Sequence, residues 1–334
     1  MDTLLSHKTA LRLLRDPEVD VLSCATNDAE AFAPSAPMDA FTARDLMRES
    51  SALRRAGEPL ESLTRDASGS RVRPEYVSHV WGAALPAGSV FCVRGGVWCA
   101  GPELTALQLG QELSDLELAL ILCEMMGTYS LNPGRPGGMV QRPRPMTDLG
   151  SIEGLLPACG GIKGCRTLAR AAKLAFPGSA SPMETKLTLR LCLPVCKGGY
   201  GLKLLSLNAP VEVERIGKGF SDKGIRRPDI LIAPWPGSGA SPVAIEYDGE
   251  DYHMTPTGVA ADTLRGNELK AAGISEYRLN REMYRSISYM DDIVSKVRDE
   301  VGYPRRHRSA DDARRERARR VELFRELAKA GRVY

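Results

Sequence analysis

The chain has 334 residues, 43% of them hydrophobic and 26% charged. That is enough apolar material for a real core, in two domains at this length, and it excludes a fibrous or wholly disordered protein. The net charge of +3 is nearly balanced, and no apolar run approaches the ~20 residues of a membrane span, so no membrane partner is expected.

The N-terminal MDTLLSHKTALRLLRD reads as a short amphipathic helix rather than a signal peptide, which points to the cytoplasm. The eight cysteines are dispersed without a CxxC pair and are expected reduced there, as buried or idle thiols. A polar, Ala- and Pro-containing stretch from Cys24 to Ala40 precedes a charged helix over 43–56 and a loop over 68–74. LPAGSVFCVRGGVWCAGPE then predicts a hairpin turning at Gly95 and Gly96, followed by helices in ELTALQLG and DLELALILCEMMG. Residues 1–131 are thus expected as a mainly helical domain. Its helix-strand-strand-helix texture fits either a degraded winged-helix module or a helical scaffold with Trp81, Trp98 and Met125 in its core. In the first form it resembles abortive-infection antitoxins, which couple such a module to a second domain. Asn132 to Pro145, NPGRPGGMVQRPRP, reads as a Pro/Gly linker.

Residues 146–303 predict an α/β domain. SPMETKLTLRLCLP gives a helix from Ser181 to about Leu193, with Glu184 in line with Leu187 and Leu191; Ser181, Pro182 and Glu184 also fit N-cap, N1 and N3 of a capping box. KGGYGL, Lys197 to Leu202, is explained by a tight turn. A strand is expected around Val211 to Arg215, then two more over 228–233 and 242–248, joined by the turn-rich PWPGSGAS. Alternation puts Asp229, Leu231 and Ala233 on one face, and Ala244, Glu246 and Asp248 on one face. If Ala233 pairs with Pro242, Asp229 falls opposite Glu246, roughly 5 Å away at Cβ, where like charges repel unless a cation intervenes. The competing reading is two solvated carboxylates at strand ends. A helix over 257–272 carries Asp262 and Arg265, spaced as a surface ion pair, and Ile274 to Leu279 closes the domain as a strand.

This α-β-β-β-α-β order resembles the core of the restriction-endonuclease-like PD-(D/E)XK superfamily, and within it the very-short-patch-repair-like group. The resemblance rests on Glu184 in SPMETKL, Asp229 in RPDI, Glu246, Asp248, Gly249 and His253 in IEYDGEDYH, and Asp262 with Arg265 in ADTLR. It implies Mg²⁺- or Mn²⁺-dependent hydrolysis of DNA, with Asp229, Glu246 and Asp248 as metal ligands and Glu184 and His253 completing the catalytic set. Arg227, Arg265 and Lys270 would contact phosphate, with Asp262 accessory. KGGYGL, besides its turn, would have a place on the DNA-facing side, where glycine permits close backbone approach. Asp248 occupies the position usually filled by Lys, so it either ligates a second metal or leaves the Lys role to His253, Arg265 or Lys270. The alternative function is a non-catalytic DNA-binding regulator, an antitoxin-like protein reusing the fold.

Residues 304–334 hold eleven basic residues against five acidic ones. They read as an Arg-rich helix that docks through Val321, Phe324, Leu327 and Ala328 and adds an electrostatic attraction for phosphates. No P-loop, Rossmann glycine fingerprint or G-x-S-x-G elbow is present.

Overall fold

The computed structural model describes residues 2–19, 24, 26, 38–54, 58–65, 71–216, 222–249, 256–304 and 308–333. They divide into two compact units, Met1–Pro177 and Gly178–Tyr334, each mixing helices and strands. Among the described residues no helix is long and apolar enough to cross a membrane.

The first unit runs β1 (Thr3–Leu5), α1 (His7–Leu14), α2 (Ala40–Glu49), β2 (Leu60–Thr64), β3 (Arg71–Val72), β4 (Tyr76–Val80), β5 (Val90–Arg94), β6 (Val97–Ala100), α3 (Pro102–Leu109), α4 (Asp115–Met125), β7 (Tyr129–Leu131), β8 (Met139–Gln141), α5 (Leu149–Leu155) and α6 (Cys165–Ala172). The hairpin at Gly95 and Gly96 and the two helices after it lie where the sequence puts them. The mainly helical expectation for 1–131 does not hold: a six-stranded mixed sheet, ordered β3-β4-β2-β1-β6-β5, organises this unit. Its polar strands hide the signal. Every residue of LESLT in β2 is buried, with Glu61 accepting the Lys8 N–H at 2.7 Å and Ser62 bonded to Ser78 at 3.1 Å, so polarity here marks satisfied interior groups. The stretch expected as a linker, 132–145, contains β8, which pairs with β7, and the division between units falls after Pro177 instead.

The second unit runs α7 (Pro182–Cys192), β9 (Leu204–Leu207), β10 (Val211–Glu214), β11 (Lys223–Arg226), β12 (Ile230–Ile232), β13 (Val243–Tyr247), α8 (Pro256–Ala271), β14 (Ser275–Leu279), α9 (Arg281–Arg285), α10 (Ile287–Glu300) and α11 (Ala310–Val333). A four-stranded sheet, ordered β14-β13-β12-β9, carries the unit; β9 and β13 run antiparallel to β12, and β14 runs parallel to β13 after the α8 crossover. Around this sheet the order is α-β-β-β-α-β, but its first strand is β9 rather than Val211 to Arg215. Those residues form β10, half of a separate ribbon with β11. Leu231 and Ala244 pack with Leu269 of α8, Ile274 and Val213 on one face of the sheet. Ile230, Ile232, Val243 and Ile245 are buried on the other, which explains the continuous apolar runs of β12 and β13. Helix α11 docks through Leu323, Leu327 and Ala330, all buried, while Val321 and Phe324 are half-buried and Ala328 is exposed.

Candidate active site

The strand register creates the site. Ile230 pairs with Ile245, Leu231 with Ala244 and Ile232 with Val243, so the same ladder sets Asp229 against Glu246. Asp229 Oδ2 accepts the Tyr247 N–H at 2.8 Å, which fixes its carboxylate over the start of the pair. Glu246 is only 7% exposed, and its Oε1 has no hydrogen-bond partner among the described residues. Burial raises the pKa of both carboxyls. For Asp229 the charge of Glu184 adds to this, opposed by the Tyr247 N–H and a hydrogen bond with Glu246. For Glu246 the charges of Asp229 and Glu276 push the same way, and the charge of Arg265 pulls back. Two carboxyls held this way compete for one proton or call for a cation.

Helix α7 delivers Glu184. Ser181 caps it, its Oγ accepting the Glu184 N–H at 3.2 Å, with Pro182 in the first turn, as the sequence predicts. The Glu184 side chain does not close a reciprocal box: its Oε2 accepts the Ala180 N–H at 2.8 Å and the Asn208 amide at 2.7 Å. Asn208 adopts φ 51°, a left-handed conformation that asparagine tolerates, and its own N–H bonds to the Pro228 and Asp229 carbonyls. One residue thereby ties the α7 carboxylate to the chain entering β12.

Strand β14 contributes the remainder. Its parallel register matches Ala244 with Glu276 and Glu246 with Arg278, placing both side chains on the face that carries Glu246. Arg278 Nε donates to Glu276 Oε1 at 2.5 Å, and its NH1 lies 4.0 Å from Asp248 Oδ1. Asp248, past the end of β13, keeps the ladder going by donating its N–H to the Leu279 carbonyl at 2.9 Å, while its side chain stays 43% exposed.

Among the expected site residues, the structure therefore brings together Asp229, Glu246, Glu184 and Asp248, with Arg265 near enough to influence Glu246. Arg227 is exposed, with NH1 donating to the Asn208 carbonyl at 3.1 Å, and Lys270 is exposed in the last turn of α8. His253 and the side chain of Asp262 lie outside the described residues. Among the described residues no group of three or more His, Cys, Asp or Glu side chains is placed to hold a metal ion, so the closely set unit is the Asp229–Glu246 pair rather than a triad with Asp248. The sequence reading overlooked Asn208, Glu276 and Arg278. Only the positive-φ turn at Asn208 leaves a trace in sequence, as an Asn beside Ala-Pro.

No family model, curated protein or solved structure matches the chain.

Proposed function

We propose that the second unit is a restriction-endonuclease-like, Mg²⁺- or Mn²⁺-dependent DNA endonuclease. The supporting observation is the Asp229–Glu246 pair: two half-buried to buried carboxyls on adjacent strands, both raised in pKa, one with an orphaned oxygen. A hard divalent ion fits this donor set, because Mg²⁺ commonly takes one or two carboxylates and fills its other positions with waters and substrate phosphate. Bound there, it would supply the acidity that makes water a nucleophile at neutral pH.

The chain's own groups do the positioning. Glu184, fixed by Asn208 and the Ala180 N–H, orients a water beside Asp229. That water's oxygen forms a bond to phosphorus as the bond to the leaving sugar oxygen breaks; the leaving oxygen takes a proton from solvent, and the water's proton passes to solvent. Arg265 sits on the exposed side of α8, where it can meet the DNA backbone.

The test is cleavage of supercoiled, linear and mismatch-containing DNA with Mg²⁺ or Mn²⁺, beside chelator and the Asp229→Ala protein. Metal-dependent nicking that disappears in the variant is expected. Full activity of Asp229→Ala sinks the assignment. A second reading, a DNA-binding regulator without catalysis, is favoured by the acidic Asp248 where a Lys is usual; it predicts DNA that is shifted, uncut and bound equally by both proteins.

A further inference from the structure

We infer that Arg278 supplies the cation that meets the scissile phosphate, the role that Asp248 cannot fill; this rests on the nuclease reading above. The site face carries Glu184, Asp229, Glu246, Asp248 and Glu276, and a phosphodiester entering it adds another negative charge. Attack on phosphorus develops further charge on the non-bridging oxygens, which needs a fixed donor in the plane of the site. Arg278 meets the geometric requirement. It stands opposite Glu246 on the neighbouring strand, on the same face, and on a sheet rather than a loop. Its Nε is anchored to Glu276, whose side chain is 10% exposed, so the planar guanidinium is held in one orientation instead of sweeping through solvent. The side chain nevertheless remains 30% exposed, and NH1 is directed towards Asp248, the position from which a Lys would reach the phosphate. The positive charge has moved one strand over, and Asp248 has become its neighbour instead of its substitute.

Lys270 and Arg265 are the competing cations. Lys270 is exposed in the final turn of α8, next to the turn that leads into β14, at the end of that strand away from Arg278. Arg265 is exposed on the crossover helix rather than on the sheet, and its charge reaches Glu246 from there. Backbone steering suits it better than contact with the reacting phosphate.

The experiment uses the full chain and supercoiled plasmid with Mn²⁺, separating kcat from KM for wild type, Arg278→Ala, and Arg278→Ala combined with Asp248→Lys. Arg278→Ala should lower kcat about 10²- to 10³-fold, the scale of losing one donor to the transition state, while DNA affinity in Ca²⁺, without turnover, changes by less than about threefold. Restoring the cation from position 248 should recover at least roughly tenfold of the lost kcat. Should Arg278→Ala fail to fold, as judged by thermal melting, Arg278→Gln replaces it with the same expectations. A wild type that cuts alongside an equally active Arg278 variant overturns the assignment and leaves the nuclease reading standing. Loss of activity that Asp248→Lys does not relieve, accompanied by a lower Tm, assigns Arg278 a structural part and equally overturns it. A wild type that cuts no DNA overturns both readings together.

Discussion

Glu246 is a buried carboxyl whose charge costs stability and which the proposed nuclease reading makes a metal ligand. A carboxyl whose folded pKa lies above its unfolded value binds more protons in the native state, so stability falls as pH rises between the two values. For Asp229 and Glu246 that window opens at about pH 4, where unfolded carboxyls ionise, and extends up to their raised folded values. Below the window the pair contributes no penalty; above it the penalty is complete. Glu246→Gln removes one charge while keeping the shape, and at pH 7.5 without metal it should stabilise the protein by roughly 1–2 kcal/mol. Melting temperatures recorded from pH 4 to 8 should therefore diverge, with wild type declining more steeply than the variant, which keeps only the Asp229 share of the penalty. Parallel curves would show that the pair is not burdened by its own charge. A divalent cation should restore wild type at neutral pH and leave the variant unmoved.

Among the elements, the β12/β13 hairpin was legible because two apolar runs of fixed length flank a turn-rich loop, and one pairing of Ala233 with Pro242 aligns every apolar position. That same register carries Asp229 to Glu246, so half of the site could be read from sequence. The first core strand was not. VEVER alternates more strictly than LLSL, but strict alternation marks a ribbon with one wet face, and β10 is such a ribbon; Ile225 on its partner strand is 56% exposed. Glu276 and Arg278 were hidden for another reason: the register of a parallel pair is set by how the crossover helix packs, and nothing in SEYRL announces its neighbour. The turn of KGGYGL owes its glycine to α11. Gly198 has φ 84°, and a Cβ there would lie 2.5 Å from the Arg319 carbonyl oxygen and 2.9 Å from Leu323 Cβ. Gly198→Ala should cost about 2 kcal/mol or more and loosen α11, read as faster tryptic cleavage among its arginines. Gly237→Ala, at φ 78° with open space around it, carries the backbone strain alone and is the control. Equal cleavage of α11 in the two variants would remove the close approach as the explanation.

At the scale of the whole chain, each unit has its own sheet and its own buried apolar set, whereas the carboxylate face lies wholly within Gly178–Tyr334. The first unit was the harder to read because its strands bury Glu61, Ser62, Thr64 and Ser78, so the period-2 contrast that betrays a sheet is absent from them. A ligand that binds only the native form stabilises the structure it binds by RT ln(1 + [L]/Kd), which at a hundredfold excess over Kd is about 2.7 kcal/mol. Metal should act on the second unit and not on the first. Calorimetry of the full chain should then resolve melting of two units, with Mn²⁺ at neutral pH raising only the transition that Glu246→Gln also moves, and Asp229→Ala abolishing the metal effect. A metal shift confined to the other transition, or one that survives Asp229→Ala, would place the cation away from the β12/β13 pair and remove the physical basis for a nuclease centred on it.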